Sequence, residues 1–494
     1  MRKALILGIS VTIFSGTLWA TNFCVSDATY LQDALAVAAA NSEADEIWLV
    51  KGTYLGSFGF ESEEDWALAI RGGYDAGCSS RSLDPLNTVL DANTRGRSLT
   101  LDATGWDTNL ELEGVTIRNG HDGGLWAASN GDLVLADNRF ESNTSDSFGG
   151  DIGGGAFVDV LGRADLLQNH FDGNWATDVA GGAYVRAMSG ANLTNNSFSN
   201  NGTDYWCGGL YLSSTAKLEI TSNEFIANEG GETGGGLCVE GGTQALLDSN
   251  LFLQNTASYE GGGLNMKFSV LGGEHPDEVI ITNNRFSDNT SRYGNGGGLS
   301  VEHVDDLINN SFANNQAGEK GGAFYGSVTH GYNNLFWANM AMEGNDLYLY
   351  NDGSGLDLYN NNLDQSTAGF LTTDPYTLDP SNLNKIDPQF ADPDMHLASG
   401  SPMIDAGDSV APALPETDMD GDDRIIGAAV DIGADEWTDS PIAIEICGGT
   451  DEVLDYRIFN AEQPVSCTAS RSITMKTGFS VAMGTEFHAY IQPF

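Results

Sequence analysis

Basic side chains are scarce in this sequence, which has 21 Lys and Arg against 69 Asp and Glu and a formal net charge of −48 at pH 7. Affinity for nucleic acid comes mainly from cationic groups that neutralise phosphates, so this charge excludes nucleic acid as a partner. It also disfavours anionic membrane surfaces. Divalent cations and neutral glycans are compatible with it, and solubility alone is the other explanation of the acidity.

Long apolar runs are missing after the first twenty residues. Arg2 and Lys3 precede an uncharged apolar segment, Ala4 to Trp19, and Ala20 then supplies a small residue. This pattern is typical of a secretory signal peptide, and about 16 apolar residues is short for a membrane-spanning helix. We therefore predict a signal peptide at residues 1–20 and no transmembrane helix in the mature chain.

No two cysteines form a Cys-x-x-Cys motif, so neither a redox site nor a zinc site is predicted. Six cysteines in an exported chain indicate disulfides, although six allow fifteen pairings that sequence alone cannot choose between. Local pairing is the simplest prediction, and it joins Cys24 to Cys78, Cys207 to Cys238, and Cys447 to Cys467.

A repeat runs from about residue 113 to residue 340. One half reads Asn-x-Phe-x-x-Asn, and the other half is Gly-Gly followed by an aliphatic or aromatic pair, as in residues 181–184 and 321–324. Steps of 24 to 34 residues separate the repeated phenylalanines, a period that indicates stacked structural units. The repeated phenylalanines are Phe140, Phe171, Phe198, Phe225, Phe252, Phe286, Phe312 and Phe336.

The repeat predicts a coil of three short strands. Its glycine and asparagine content and its short apolar runs exclude helical repeats. We expect Asn138 and Asn169 to take the left-handed backbone conformation at a corner, since asparagine tolerates that conformation better than most residues. The phenylalanines should stack inside the coil, and asparagines in register should form side-chain ladders.

The paired Gly-Gly-(Ala/Leu)-aromatic and Phe-x-x-Asn motifs resemble the repeats of polymorphic outer membrane proteins, members of the pectate-lyase-like class. The resemblance implies an all-β fold, a right-handed parallel β-helix over residues 96–365 with an N-terminal cap over residues 21–95. That class contains lyases, adhesins and tailspikes, so it implies no single function.

Two further segments resemble modules of secreted bacterial proteins. Residues 366–437 include Asp387-Pro388, a Gly-Ser-Pro-Met-Ile-Asp-Ala-Gly run and Asp431-Ile432-Gly433, and they resemble a choice-of-anchor module. This implies association with the cell envelope or the export route. Residues 438–494 resemble a small C-terminal β module, the three-coathanger stack, through the run from Ile473 to Ala489.

Asp418, Asp420 and Asp422 have the carboxylate density of a calcium loop. Their glycine, Gly421, does not stand where an EF-hand places it. A solvated acidic turn that pairs with Arg424 is the alternative. Calcium is therefore the one cofactor predicted, with these three aspartates as its ligands.

A polysaccharide lyase needs a base and a cation that neutralises the sugar carboxylate. Basic residues in the repeat do not recur beside a clustered acidic triplet, and no catalytic residue is assigned. Aromatic residues near corners and loops could stack on sugar rings, although core packing or the fixing of a loop is the commoner role of such residues. They are Trp106, Trp126, Trp175, Tyr205, Trp206, Tyr259, Tyr293 and Trp337.

The sequence therefore favours an exported, non-catalytic surface or adhesion protein that binds a glycan or extracellular matrix. The expected location is secreted or at the cell surface of a bacterium, associated with the outer membrane. The alternative is a polysaccharide lyase or glycoside hydrolase that acts on an extracellular polysaccharide.

Overall fold

The structure is a computed structural model that describes residues 21–146, 152–268, 276–350, 356–373 and 378–438, together with the backbone of six strands between residues 451 and 491. The predicted signal peptide lies outside these residues. The main body of the protein is a right-handed parallel β-helix, which confirms the predicted fold class. Helical structure in the described residues is confined to an α-helix at Ala28–Ala38 and a 3-10 turn at Pro85–Asn87.

Four parallel sheets make up the coils, and we number them in chain order. Sheet 1 contains Thr21–Val25, Asp45–Val50, Leu68–Tyr74, Leu110–Glu113, Leu133–Ala136, Ala164–Leu167, Ala191–Thr194, Leu218–Thr221, Gln244–Asp248, Glu278–Thr282, Val304–Ile308, Val328–Tyr332 and Asp357–Tyr359. Sheet 2 contains Gly52–Leu55, Thr88–Asp91, Thr116–Arg118, Arg139–Glu141, His170–Asp172, Ser197–Ser199, Glu224–Ile226, Leu251–Leu253, Arg285–Ser287, Ser311–Ala313, Leu335–Trp337, Asn362–Leu363 and Leu383–Asn384. Sheet 3 contains Phe58–Glu61, Leu99–Ala103, Leu125–Ser129, Ala156–Val160, Ala183–Ala187, Leu210–Ser214, Leu237–Gly241, Leu264–Lys267, Leu299–Val301, Phe324–Gly326, Leu347–Leu349 and Phe370–Thr372. Sheet 4 contains Thr144–Ser145, Trp175–Ala176, Gly202–Thr203, Glu229–Gly230, Thr256–Ala257, Thr290–Ser291 and Gln316–Ala317.

Seven coils, from the one with Thr144–Ser145 to the one with Gln316–Ala317, pass through sheets 1, 2, 4 and 3 in turn, and the coils before and after them pass through sheets 1, 2 and 3. Sheet 4 adds a two-residue strand to the three-stranded coil predicted from the sequence. It lies between the second asparagine of the repeat and the glycine pair. That glycine pair is required by close packing, because a Cβ atom on Gly182 would lie 2.3 Å from the carbonyl oxygen of Gly209 in the next coil.

The repeated phenylalanines form one interior column, as predicted. All eight are at most 2% exposed, and the rings of successive coils stack with centroids 4.5 to 5.1 Å apart. Burial of one such side chain contributes roughly 1.5–3 kcal/mol. The column therefore fixes which residues of every coil point inward and which are left on the outer faces.

Both asparagines of the repeat form buried ladders. In the second ladder the Asn201 side-chain amide donates to Asn228 Oδ1 at 3.0 Å and to the Phe171 carbonyl at 2.9 Å. The prediction that Asn138 and Asn169 take the left-handed conformation was wrong. The preceding residues, Asp137 (φ 52°) and Gln168 (φ 55°), turn the corner, which leaves the ladder asparagines free to point inward.

The glycine motif shifts by one residue in the coil at residue 321. Phe324 pairs with Leu299 of the preceding coil and is fully buried, whereas Tyr325 pairs with Ser300 and lies on the outer face. Ala323 accordingly occupies a position that a glycine holds in the preceding coils. The outward aromatic residue of this coil is therefore Tyr325, whereas Phe324 takes the inward position.

The N-terminal end is covered by the strand Thr21–Val25 and the helix Ala28–Ala38. Asp27 caps the helix by accepting hydrogen bonds from two backbone amides of its first turn. The strands from Asp45–Val50 onward already belong to the three large sheets, so much of the segment predicted as a cap forms the first coils. Of the predicted disulfides, Cys24–Cys78 and Cys207–Cys238 are confirmed, and Cys447–Cys467 lies outside the described residues.

Within the segment 366–437, residues 387–437, here called the acidic module, pack on the outer face of sheet 2 over its last coils. Four corner asparagines of the β-helix donate side-chain hydrogen bonds to its backbone carbonyls. An apolar cluster built around Leu335, Leu397, Met403 and Ile432 joins the two parts. The donors are Asn283, Asn309, Asn333 and Asn360.

Toward the C-terminus, six strands form three parallel pairs. The predicted small β module over residues 438–494 stays a prediction. The pairs are Asp451–Leu454 with Ser472–Met475, Ile458–Phe459 with Ser480–Val481, and Val465–Ala469 with Phe487–Ile491.

Candidate functional site on the outer face of sheet 3

The outer face of sheet 3 begins with a stack of four aromatic rings, one from each successive coil. Trp126, Phe157, Tyr184 and Tyr211 occupy equivalent register positions. Their ring centroids are 4.0, 5.2 and 4.8 Å apart. Because each ring covers the faces of its neighbours, the stack presents mainly ring edges to solvent.

The stack is interrupted in the next three coils, where Cys238, Asn265 and Ser300 occupy the same register position. Aromatic residues return with Tyr325 and Tyr348, whose rings stack at 5.6 Å. The side of Tyr325 opposite Tyr348 is turned toward Ser300, so this ring forms a wall at the end of the interruption.

A groove of about 280 Å³ lies beside this wall. Small side chains at the interrupted positions create it, because they rise less far from the sheet than the rings on either side. Its lining residues are Glu260, Asn265, Met266, Lys267, Ser300, Val301, Glu302, Tyr325 and Tyr350.

The groove combines an aromatic wall with fixed polar groups. Lys267 Nζ lies 2.9 Å from Glu260 Oε2, and Glu302 Oε2 accepts a hydrogen bond from the Phe268 amide at 2.9 Å. The Tyr350 hydroxyl donates to the carbonyls of Val301 and Glu302, both at 3.1 Å. These bonds hold the side chains in place before any ligand arrives.

The electrostatics of the groove favour an uncharged ligand. Glu260 and Glu302 bring two carboxylates against the single ammonium of Lys267, which is already paired. Burial raises the pKa of the Tyr325 hydroxyl, which therefore stays protonated and able to donate near neutral pH. An aromatic wall beside hydroxyl, amide and carboxylate groups can bind the apolar face and the hydroxyls of a sugar.

The predicted calcium residues lie in the acidic module, and the structure gives Asp418 a hydrogen-bonding role. Its Oδ1 accepts hydrogen bonds from the amides of Asp420 and Asp422, and its Oδ2 accepts one from the Glu436 amide. Asp422 is exposed. Calcium binding by these three residues stays a prediction.

Asp420 belongs to a different group of side chains. Its Oδ2 lies 2.9 Å from His396 Nε2, and His396 Nδ1 lies 2.6 Å from Asp392 Oδ2. Burial acts to lower the pKa of His396, but the hydrogen bonds to the two carboxylates outweigh it and raise that pKa to about 11. The imidazolium therefore bridges Asp392 and Asp420 and offsets one of their two negative charges.

In the described part of the chain, two groups place three metal-ligand atoms within 4.8 Å of one another. One consists of His396, Asp420 and Asp435, and the other of His121, Asp122 and Asp146. In the second group His121 and Asp122 precede the strand of Trp126, and Asp146 follows the sheet 4 strand Thr144–Ser145. Neither matches the aspartate trio predicted from the sequence.

The eight aromatic residues singled out from the sequence take several roles. Trp126 starts the stack, Trp337 packs against the acidic module, and Trp106 lines a cleft beside the N-terminal helix. The other five are exposed: Trp175 lies in sheet 4, and the remaining four lie on the corner between sheets 4 and 3, with Tyr259 next to Glu260 of the groove.

Comparison with known proteins bears on the fold. Residues 100–270 match the family model described as right handed beta helix region. This span runs from the strand Leu99–Ala103 of sheet 3 to just beyond Leu264–Lys267 of the same sheet. No curated protein matches the chain. The family match agrees with the observed coils and leaves the activity open.

In the ranges that the structure describes, no helix is long and apolar enough to cross a membrane.

Sequence reasoning missed the groove, although a signal for it exists. The residue that follows the inward Leu or Ala after the glycine pair is aromatic in four coils and then becomes Cys238, Asn265 and Ser300. Those three coils also include the repeat's longest step, 34 residues between Phe252 and Phe286. In this sequence, the interruption of the outward aromatic residues marks the coils in which the surface of sheet 3 becomes concave.

Proposed function

We propose that this protein is an exported, non-catalytic β-helix protein that binds a neutral extracellular glycan in the groove of sheet 3. The observation that carries the proposal is the position of Tyr325, whose ring walls a groove lined by Glu260, Asn265, Lys267 and Glu302. Neutral sugars suit this lining better than uronates do, because carboxylates outnumber ammonium groups there and the whole chain is strongly acidic.

Export is supported by two disulfides, Cys24–Cys78 and Cys207–Cys238, because such bonds persist in oxidising surroundings outside the cytoplasm. A surface location, on the bacterial outer membrane or in the surrounding matrix, fits an elongated solenoid with one continuous binding face. The acidic module then serves as a laterally attached unit that supports the last coils.

A polysaccharide-cleaving enzyme is the second candidate function. The observation that favours it is the pair of Lys267 and Glu260 at 2.9 Å, close to Glu302 in the same groove. A lysine and two carboxylates are groups that can transfer protons at a glycosidic bond or beside a uronate carboxyl.

Affinity electrophoresis against a panel of neutral polysaccharides and polyuronates tests the proposal. We expect neutral glycans to retard the wild-type protein and the Tyr325→Ala variant to lose the retardation. Tyr184→Ala is the matched control, since it removes a tyrosine inside the stack whose faces are covered, and it should bind like wild type.

Some results would overturn the groove as the binding site, and others would establish the enzyme. Absence of retardation by every neutral glycan, or equal losses in the Tyr325→Ala and Tyr184→Ala variants, would overturn the groove as the binding site. Rising ultraviolet absorbance with pectate, alginate or chondroitin in calcium, or the appearance of reducing ends, would establish the enzyme instead.

A further inference from the structure

Five large aromatic side chains lie exposed on sheet 4 and on the corner that leads from it to sheet 3, in four of five successive coils, and we call this row the aromatic ridge. It consists of Trp175, Tyr205, Trp206, Tyr259 and Tyr293. Their exposure ranges from 39% for Trp175 to 66% for Tyr293. The rings of the sheet 3 stack cover one another, whereas those of the ridge are not stacked, and Tyr259 and Tyr293 meet at a tilt of 48° with centroids 6.2 Å apart.

The ridge runs parallel to the coil axis. Trp206 and Glu260 stand in one ladder of parallel backbone bridges, two coils apart, and Tyr259 precedes Glu260 in the chain. Trp175 lies one coil before Trp206, and Tyr293 one coil after Tyr259. With a step of about 4.8 Å per coil, the ridge extends over roughly 19 Å.

Specific contacts hold two of the rings. Trp206 Nε1 donates to Glu232 Oε2 at 2.8 Å, which ties the indole to the next coil. The Trp175 ring lies over Gly202, where an added Cβ would come within 2.3 Å of Cζ3. Gly202 has an ordinary negative φ, so glycine is required there by the indole and not by the backbone.

The chemistry beside the ridge points to an uncharged, hydroxyl-rich partner. Carboxylates of Asp178, Asp204 and Glu232 accompany the rings, while Arg292 is paired with Glu229 at 2.9 Å. Carboxylates repel anionic polymers and accept hydrogen bonds from hydroxyls, and ring faces bind the apolar faces of sugars. Glu260 also lines the groove, so the ridge and the groove form one continuous surface.

We propose that the ligand is a linear neutral polysaccharide that lies along the aromatic ridge, parallel to the coil axis, and enters the groove beside Glu260. This inference rests on the proposed function and adds the shape and orientation of the ligand. An extended sugar residue is about as long as one coil step, so the ridge from Trp175 to Tyr293 offers contacts to several consecutive residues of one chain.

Calorimetric titration with oligosaccharides of increasing length, cut from a neutral glycan that retards the wild-type protein, tests the inference. We expect affinity to rise with length until the ridge is spanned. The variant Trp206→Ala with Tyr259→Ala should lower affinity for the longest oligosaccharide at least about tenfold, or ~1.4 kcal/mol. Its affinity for the shortest one should stay unchanged.

Two further variants test whether the effect is specific to the ridge. Gly202→Ala should weaken long-chain binding by displacing the Trp175 ring without removing it. Trp66→Ala is the matched control, because Trp66 is also half exposed but lies away from the ridge, and it should bind like wild type. Thermal melting of each variant confirms that the coil is intact.

The outcomes separate the two proposals. Glycan binding that is independent of length, or unaffected by the ridge variants, overturns the ridge and leaves the groove standing. Ridge variants that change sedimentation of the free protein but not glycan affinity would make the ridge a contact between copies of the chain. If no glycan of any length binds, the proposed function fails, and this inference fails with it.

Discussion

The side-chain amide of Asn309 donates hydrogen bonds to the carbonyls of Asp431 and Gly433, both at 2.9 Å, and so joins the β-helix to the acidic module. Replacing it by aspartate keeps the shape but turns two donated bonds into two repulsive contacts. Asn309→Asp should lower the free energy of unfolding by about 1–3 kcal/mol in urea denaturation.

Asn195 provides the control for this change. It takes the same left-handed corner conformation (φ 57°) in an earlier coil and is exposed to solvent. Asn195→Asp should therefore leave stability nearly unchanged. Equal losses in the two variants would show that Asn309 matters for the corner and not for the module.

A second prediction concerns the interior column of stacked phenylalanines. Phe225 is fully buried between Phe198 and Phe252, with centroids 5.1 and 4.9 Å away. Phe225→Ala should leave a cavity and lower the free energy of unfolding by about 3–5 kcal/mol. The same deletion at the half-buried outer ring of Tyr184 should be much less destabilising, and a similar loss would contradict the interior assignment.

Much of this architecture was visible in the sequence because it depends on contacts that recur in every coil. Phe198 and Phe225, or Asn201 and Asn228, repeat the same contact at a fixed interval, so a periodic pattern reveals it. The local pairing of Cys207 with Cys238 follows similarly, since adjacent coils bring these residues together.

The docking of the acidic module was not predicted, because it depends on non-repeating contacts between residues 46 to 134 positions apart, such as Asn309 with Asp431. The sequence does contain one indication of this docking. The left-handed corner residue varies among Asp137, Gln168, Asn195, Ser222 and Ser249 in uncovered coils but is Asn in all four covered ones, where a side-chain donor is needed. That difference has meaning only once the partner carbonyls are known.

The confirmed disulfide between Cys207 and Cys238 closes a loop with a sequence separation of 31 residues. Loop-closure entropy suggests that it stabilises the protein by ~3–4 kcal/mol. The double variant Cys207→Ser with Cys238→Ser should unfold at correspondingly lower urea concentration. An unchanged midpoint would mean that the stacked coils alone hold these residues together.

The stability of the acidic module should depend on pH, because two of its carboxyl groups are buried. Burial raises the pKa of Asp435 to about 7 and that of Glu436 to about 7, whereas both groups ionise near pH 4 in the unfolded chain. The folded state therefore keeps protons that the unfolded state loses, so their contribution to stability falls as the pH rises from about 4 through 7. His396 acts in the same direction, since its contribution is complete below about pH 6.5 and is lost as the pH approaches 11.

The double variant Asp435→Asn with Glu436→Gln isolates the pH dependence, because neither new side chain ionises. It keeps the oxygen that accepts from the Leu397 amide and loses one of the two Glu436 acceptors, a loss that does not change with pH. Its thermal midpoint relative to wild type should rise between pH 5 and pH 8. A constant difference over that range would mean that the two carboxyls ionise normally in the folded protein.

Calcium binding by Asp418, Asp420 and Asp422 is tested by thermal melting in millimolar calcium. A bound ion stabilises the folded state, so the midpoint should rise for wild type and rise less for Asp422→Asn. Asp423→Asn removes the same charge one residue away and should respond like wild type. No shift in wild type would end the calcium prediction.

The central claim is that the outer face of sheet 3 and its adjoining corner bind a neutral glycan. A crystal structure of the protein with a bound neutral oligosaccharide tests it most directly. We predict sugar rings against Tyr325 in the groove and against Tyr259 and Trp206 along the ridge, with the chain parallel to the coil axis. An oligosaccharide bound on the outer face of sheet 2 or on the acidic module, with the groove and ridge unoccupied, would contradict it.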